Sequence, residues 1–302
     1  MSLLVVGSVA FDSVATPFGV RDGVLGGSAS FFSVAASRFA PVRLVAVVGE
    51  DFPAEHLSMF ETHGIDLAGL ERAPGRTFRW AGRYHENMNQ RDTLSTDLGV
   101  FEGFNPKLPP GWDDTPYVFL GNIHPALQLK VLGQVRRPRL VACDTMNLWI
   151  DSTRDALRQV LARVDLLAVN DDEALMLAQE DNLVRAARAI RAMGPRWVVV
   201  KRGEHGALLF GEGRIFAVPA YPLEEVRDPT GAGDSFAGGF MGHLALAPRI
   251  TEGAVRRAMV MGSVMASYCV EDFSLDRLKG VTPADVQSRY HEFVDLTAFD
   301  GD

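Results

Sequence analysis

The residues best suited to chemistry lie in one run, Asp228-Pro229-Thr230-Gly231-Ala232-Gly233-Asp234-Ser235-Phe236. Gly231, Ala232 and Gly233 carry almost no side chain, so their backbone N–H groups can approach a ligand closely. The residues from Ser235 onward read as a helix. That puts these N–H groups at a helix N-terminus, where unsatisfied donors and the helix dipole favour an anion. Asp234 falls in the first turn beside that anion, where a carboxylate is suited to take a proton from an attacking group. Ordinary helix capping is the alternative explanation for Asp, Thr and Gly at these positions.

Further candidate groups end short apolar runs: Asp12, Gly49-Glu50-Asp51, Asn122, Asp144, Asn170 and Lys201-Arg202-Gly203. Residues 3–9, 42–48, 117–121, 140–144, 166–170 and 197–201 suit strands buried on both faces. Helical patterns over 29–40, 53–63, 126–135, 154–163, 172–179 and 183–193 separate them. Such alternation implies right-handed βαβ units and a mainly parallel sheet, with ligands outside the carboxyl ends of its strands. Residues 206–210 and 214–218 flank Gly211-Glu212-Gly213 as a hairpin, and helices are expected over 235–247, 251–270 and 283–296.

Two stretches break this rhythm. Residues 11–16 and 20–25, and then 76–84 and 93–101, read as strand following strand without a helix. The expected organisation is one domain over residues 1–302, with an α/β core at about 1–10, 27–75 and 102–302. A β lid is expected at about 11–26 and 76–101. Within the lid, Arg83, His85, Asn87, Met88, Asn89 and Arg91 read as an exposed turn. Arg79 or Arg83 would face a ligand only in one of two registers.

Composition narrows the function. The 302 residues carry a net charge of −8, are 47% hydrophobic and 23% charged, and include two cysteines, Cys143 and Cys269. Those proportions are ordinary for a globular protein, and the acidic balance argues against nucleic acid as a partner. Cysteines set in apolar runs suit buried thiols better than a disulfide or zinc framework. The first residues lack a basic, then apolar, leader, and no apolar run would span a bilayer. A cytoplasmic protein with no membrane partner is expected.

No Gly-x-x-x-x-Gly-Lys-Ser/Thr occurs, and Gly7 lacks a Gly-x-Gly-x-x-Gly context, so any phosphate falls to Gly231–Gly233. Asn170-Asp171-Asp172-Glu173 has the spacing of a capping box. Gly26-Gly27-Ser28 precedes a helix that Ser28 could cap.

The 228–236 run resembles the C-terminal motif of the ribokinase-like (PfkB) carbohydrate and nucleoside kinase family. Asp12, Gly26-Gly27, Gly49-Glu50-Asp51 and Asn170-x-x-Glu173 follow that family's order. The resemblance implies a three-layer α/β/α fold with a mainly parallel sheet and a small β lid. It implies phosphoryl transfer from ATP to a hydroxyl, CH₂OH, of a sugar, with Mg²⁺. Asp234 would be the general base, and the backbone of Gly231, Ala232 and Gly233 the anion hole. Asp12, Gly26, Gly27 and Ser28 would bind substrate alongside Asp234. Asn170, Glu173, Lys201, Gly203, Thr230, Gly231 and Gly233 would serve the nucleotide, with Glu173 reaching Mg²⁺ through water. Asp228 and Thr230 would hold a monovalent cation, K⁺, as in some relatives.

Two alternatives stand beside the sugar kinase. One is a nucleoside kinase of the same family, and the other a non-catalytic sugar- or nucleotide-binding regulator. Ribose-type members carry Asn a few residues past the glycine pair, whereas Phe31 stands there in this chain and cannot make the same hydrogen bonds. Val270-Glu271-Asp272-Phe273-Ser274 departs from the family pattern near adenine. A monomer or a homodimer paired through the lid is expected.

Overall fold

The computed structural model describes residues 1–298, so the last four residues of the expected domain lie outside the described residues. Strand β1 (Leu3–Val6) leads into the hairpin β2 (Ala10–Thr16) and β3 (Gly19–Gly26), then helix α1 (Ser28–Ala36). Next come β4 (Val42–Val48), α2 (Ala54–Thr62), β5 (Ile65–Arg72) and the hairpin β6 (Phe78–Tyr84) and β7 (Arg91–Asp97). From β8 (Tyr117–Leu120) strands and helices alternate through α3 (Pro125–Leu132), β9 (Leu140–Asp144), α4 (Asn147–Ser152), α5 (Arg154–Leu161) and β10 (Leu166–Asn170). The chain continues through α6 (Asp171–Ala178), α7 (Leu183–Arg191), β11 (Trp197–Lys201), β12 (Ala207–Phe210) and β13 (Ile215–Val218). Helices α8 (Ala232–Leu244), α9 (Glu252–Cys269) and α10 (Pro283–Thr297) close it.

Nine strands form one sheet in the order β13-β12-β11-β10-β9-β8-β1-β4-β5. Neighbours from β11 to β5 are parallel, and β12 and β13 run antiparallel at one edge. The core strands are largely apolar, as suits a sheet with helices on both faces, with polar residues mainly at their carboxyl ends. One apolar cluster packs α1, α8 and α9 on one face, and a second packs α3, α5 and α7 on the other. The chain order reverses between β1 and β8, so a crevice opens beyond their carboxyl ends.

A second sheet, ordered β3-β2-β6-β7, lies over that crevice. Its two hairpins are antiparallel, as their sequence suggests, but β2 joins β6 in parallel. The lid is therefore mixed. Asp51 pins it to the core, accepting from the Thr77 N–H and hydroxyl (2.7 Å each) and pairing with Arg79 at 3.0 Å.

Three elements differ from the sequence expectation, the first being the short helix α4, which lies between the expected strand 140–144 and helix 154–163. β5 was not anticipated, because this edge strand is half-buried and carries Asp66 and Glu71. β7 spans Arg91–Asp97 rather than 93–101, since Gly99 turns at φ 50° into a short 3₁₀ segment.

Candidate active site

The Asp228–Asp234 loop owes its shape to Gly231. Pro229 O accepts from Ala232 N (3.2 Å), and Gly231 takes φ 76°, ψ 0° at the third position of that turn. This is a type II turn, which favours glycine there. A Cβ on Gly231 would strike the ring of Phe31, which is buried beneath the loop. Phe31 thus backs the loop instead of facing a ligand. The Ala232 N–H closes the turn onto Pro229 O, unlike its neighbours in the loop. The N–H groups of Gly231 and Gly233 meet no backbone acceptor among the described residues, and the Asp234 N–H turns to its own carboxylate. No side chain caps α8, which leaves its N-terminal field directed into the cleft.

Glycine later in the same helix answers to packing. A Cβ on Gly238 would meet Phe32 O, and one on Gly239 would meet Met261 O at 2.6 Å. Helix α8 therefore lies very close to α1 and α9, which fixes Asp234 at the crevice.

Around Asp234 stand groups from five other elements. Asp144 and Lys201 end strands β9 and β11, on either side of β10, and pair at 3.2 Å, largely buried. Lys201 Nζ lies 2.8 Å from where a Gly233 Cβ would sit, so it borders the loop. Asn170 and Glu173 form the expected capping box on α6, with Asn170 Oδ1 accepting from Glu173 N (2.7 Å) and Glu173 Oε2 from Asn170 N (2.8 Å). Arg91, at the start of β7, is exposed at the cleft mouth, and its charge acts on Asp12, Glu173 and Asp234.

Electrostatics mark the cluster. Burial pushes the Asp234 carboxyl up, Asp144 adds to this, and Lys201 and Arg91 pull against it. Burial and then Asp144 likewise raise Glu173. Lys201 stays charged: burial works against it, but Asp144, Glu173 and Asp234 hold it above the usual lysine value. Asp12, Asp144, Glu173 and Asp234 thus outnumber the cations Lys201 and Arg91.

Asp12 on β2 lies against Gly26, where any Cβ would overlap its carboxylate, and receives a hydrogen bond from Gly27 N. Gly27 has φ 89° and sits 2.5 Å, measured from a built Cβ, from Ser8 O. The glycine pair is required by this close approach. The Ser28 hydroxyl meets Ser8 Oγ and accepts from Ser8 N (3.2 Å each), which ties the start of α1 to the segment after β1.

Burial pushes Asp12 up to about 7, the Gly27 N–H works against this, and Asp228 and Asp234 add to it. Its ordinary value is 3.8. The folded state therefore favours the protonated form. That contribution is complete below about pH 4 and is lost as pH rises through about 7. Asp12→Asn is expected to raise the melting temperature by at least ~3 °C at pH 8 and by under ~1 °C at pH 5. Differential scanning fluorimetry at the two pH values measures this. An equal fall at both would show that Asp12 instead holds the fold together.

The remaining loop residues engage each other. Asp228 accepts from Thr230 N (2.9 Å) through Oδ1 and from Ser274 N (3.2 Å) through Oδ2. Burial pushes its carboxyl up, against the pull of Thr230 and Ser274. Thr230 Oγ1 donates to Tyr84 Oη at 3.2 Å. At Gly203, φ 52°, a Cβ would hit Asn89 of the lid turn. Asn89 and Arg91 are exposed, as an exposed turn predicts, and lie at the rim of the cleft, whereas Tyr84 is buried. Their reach depends on β6–β7 pairing, in which Tyr84 stands opposite Arg91, and no local sequence signal reports it.

A three-layer α/β/α core, a β lid and an uncapped helix start carrying a half-buried aspartate at the crevice are the features of a ribokinase-like fold. A family model for pfkB family carbohydrate kinases matches residues 128–276. A cytidine kinase of Thermococcus kodakarensis is 33% identical over 246 residues, covering 80% of this chain and 87% of that protein. A 2-dehydro-3-deoxygluconokinase of Dickeya dadantii is 27% identical over 272 residues, 76% and 80% of the two chains. The fold is that of a Burkholderia thailandensis nucleoside kinase solved with inosine, at TM-score 0.81 and 20% identity, covering 97% of this chain and 99% of that one. This chain belongs to the pfkB family of carbohydrate kinases.

Proposed function

We propose that this chain transfers the γ-phosphoryl group of ATP to the CH₂OH of a ribosyl-type sugar, with a nucleoside favoured over a free sugar. The observation that carries the reaction is Asp234, half-buried at the uncapped start of α8 beside the N–H groups of Gly231 and Gly233. Similarity to a cytidine kinase over 80% of the chain favours the nucleoside. Of the alternatives, a non-catalytic regulator fits poorly with an intact base and anion loop.

In this mechanism Asp12 and the Gly26–Gly27 backbone hold the acceptor, and Asp234 takes its hydroxyl proton. The loop N–H groups and Lys201 stabilise charge on the moving phosphoryl, where one comparable donor is worth roughly 2.7–4 kcal/mol. The excess of carboxylates over cations near Glu173 suits Mg²⁺, which Glu173 would hold through water, Asn170 orienting it. Bound there, Mg²⁺ would neutralise phosphate charge. Gly203 leaves room for the lid turn at the nucleotide side, and the lid excludes water that would compete as acceptor. The reading carries with it a cytoplasmic site of action. Unpaired lid edges at β3 and β7 accommodate a monomer or a homodimer.

An ADP-release assay over cytidine, inosine, adenosine, ribose, fructose and 2-dehydro-3-deoxygluconate tests this. The expected result is a nucleoside turned over at least ~10-fold more efficiently, in kcat/KM, than any free sugar. A free sugar in first place would overturn the nucleoside preference, and a blank panel with ligand-induced thermal shifts would overturn the kinase.

A further inference from the structure

We propose that Asn122 is a specificity-determining residue that reads a carbonyl oxygen of the acceptor substrate, and that Trp149 holds it to that task. Asn122 follows β8 and Gly121, and so stands at the crevice beyond the carboxyl end of that strand. A Cβ on Gly121 would lie 3.2 Å from the Ser28 hydroxyl and 3.4 Å from Gly7 Cα. This close packing sets the end of β8 beside the start of α1, next to the glycine pair that touches Asp12. Buried Gln128 of α3 fixes it further, donating to the carbonyls of Gly121 (2.9 Å) and Asp144 (3.0 Å).

An asparagine amide carries an acceptor at one end and donors at the other, so the end that faces a ligand decides what it reads. Helix α4 makes that choice here. The Trp149 indole N–H can only donate, and it lies 3.0 Å from Asn122 Oδ1. The NH₂ group is therefore turned away from Trp149. It meets no acceptor among the described residues and is open to solvent. Trp149 is itself half-buried, and the His124 ring meets it edge-on at 5.1 Å while His124 Nδ1 caps α3 through Ala126 N (3.1 Å). Asp12 and Asp234 offer oxygens, which suit hydroxyl groups and repel a carbonyl. Asn122 offers N–H groups, which suit a carbonyl.

This assignment rests on the acceptor-kinase reading of the cleft, and a binding measurement without ATP separates the two. Calorimetry would compare cytidine with its analogue carrying hydrogen in place of the C2 oxygen. The wild type is expected to bind cytidine at least ~10-fold more tightly, because the analogue leaves the fixed donor unmet. Asn122→Asp still accepts the Trp149 N–H, so its melting temperature should move by under ~2 °C. It lacks the donor, and the preference should fall to within ~2-fold. The two ligands share the same charge, so the added carboxylate cancels in the ratio. Trp149→Phe leaves Asn122 in place but frees its amide to turn, and should give a preference of ~3-fold. A residue that only ties α4 to β8 would leave the ratio unmoved in Asn122→Asp, which would overturn the proposal, as would a wild type that does not distinguish the pair. Should the wild type take a free sugar and no nucleoside, the nucleoside preference falls. The same ratio, with the same criteria, is then read between 2-dehydro-3-deoxygluconate and its counterpart with the ketone reduced. Discrimination in binding with no ADP release would sustain Asn122 as the reader and reject the kinase separately, and binding of neither pair would overturn the proposal.

Discussion

Asp234→Asn is expected to cut turnover by at least ~100-fold, within the ~10²–10⁴-fold typical of losing a general base. Asparagine matches aspartate in shape but accepts no proton at neutral pH. Folding should survive, because burial and Asp144 already disfavour the ionised carboxylate. Removing that charge gives up a favourable contact with the α8 N-terminus of ~0.3–1 kcal/mol and relieves repulsion from Asp144. The two effects oppose each other, so the melting temperature should change little. ATP binding should hold or tighten, since a negative group leaves the phosphate side. The pH profile gives a second reading. The base must be ionised to act, so the wild-type rate should decline as pH falls through the raised Asp234 pKa, whereas the residual variant rate should not follow that curve. Steady-state ADP release and calorimetric ATP titration measure these quantities, and turnover within ~10-fold of wild type would remove Asp234 as the base.

Gly231→Ala should cost nearly as much by a different route. At φ 76° an L-residue is strained by roughly 1–3 kcal/mol, and the added methyl drives into the Phe31 ring. Phe31 cannot yield readily, being 2% exposed within the main core. The loop must therefore move, taking the Gly231 and Gly233 N–H groups off target. A displacement that loses one such donor lowers kcat by about 10²–10³-fold. Far-UV circular dichroism should be unchanged, because the sheet and α8 do not depend on the turn. Phe31→Leu in the same background should recover only part of the loss, since it relieves the clash but not the strained φ. A Gly231→Ala enzyme with kcat within ~5-fold of wild type would show that the loop geometry is not what catalysis needs.

Burial explains which parts were legible from the sequence. β1, β4 and β8 to β11 are covered on both faces, and such strands read as unbroken apolar runs. β5 is an edge strand whose Asp66 and Glu71 erase that signal. Within the site, Asp234, Gly231 and the Asn170–Glu173 box were legible because each belongs to a local turn or cap. Asp144 was visible only as one of several polar groups ending strands. Its ion pair with Lys201 arises from β9 and β11 flanking β10, a long-range fact. Tyr84, Asn89 and Arg91 depend on hairpin register and on how the lid crosses the crevice. The contacts of Ser28 with Ser8 and of Ala232 with Pro229 are likewise absent from the local spacing, since they arise only when the loops fold back.

The Gly26–Gly27 pair has a mechanical meaning too. Gly26 is the last residue of lid strand β3, and Gly27 immediately precedes α1 in the core. Asp12, against which Gly26 rests, sits on the adjoining lid strand. The chain joint between this side of the lid and the core is therefore the same pair of residues proposed to grip the acceptor. A molecule held there would act as a wedge in its own hinge, making the lid's swing and the acceptor's departure a single mechanical event.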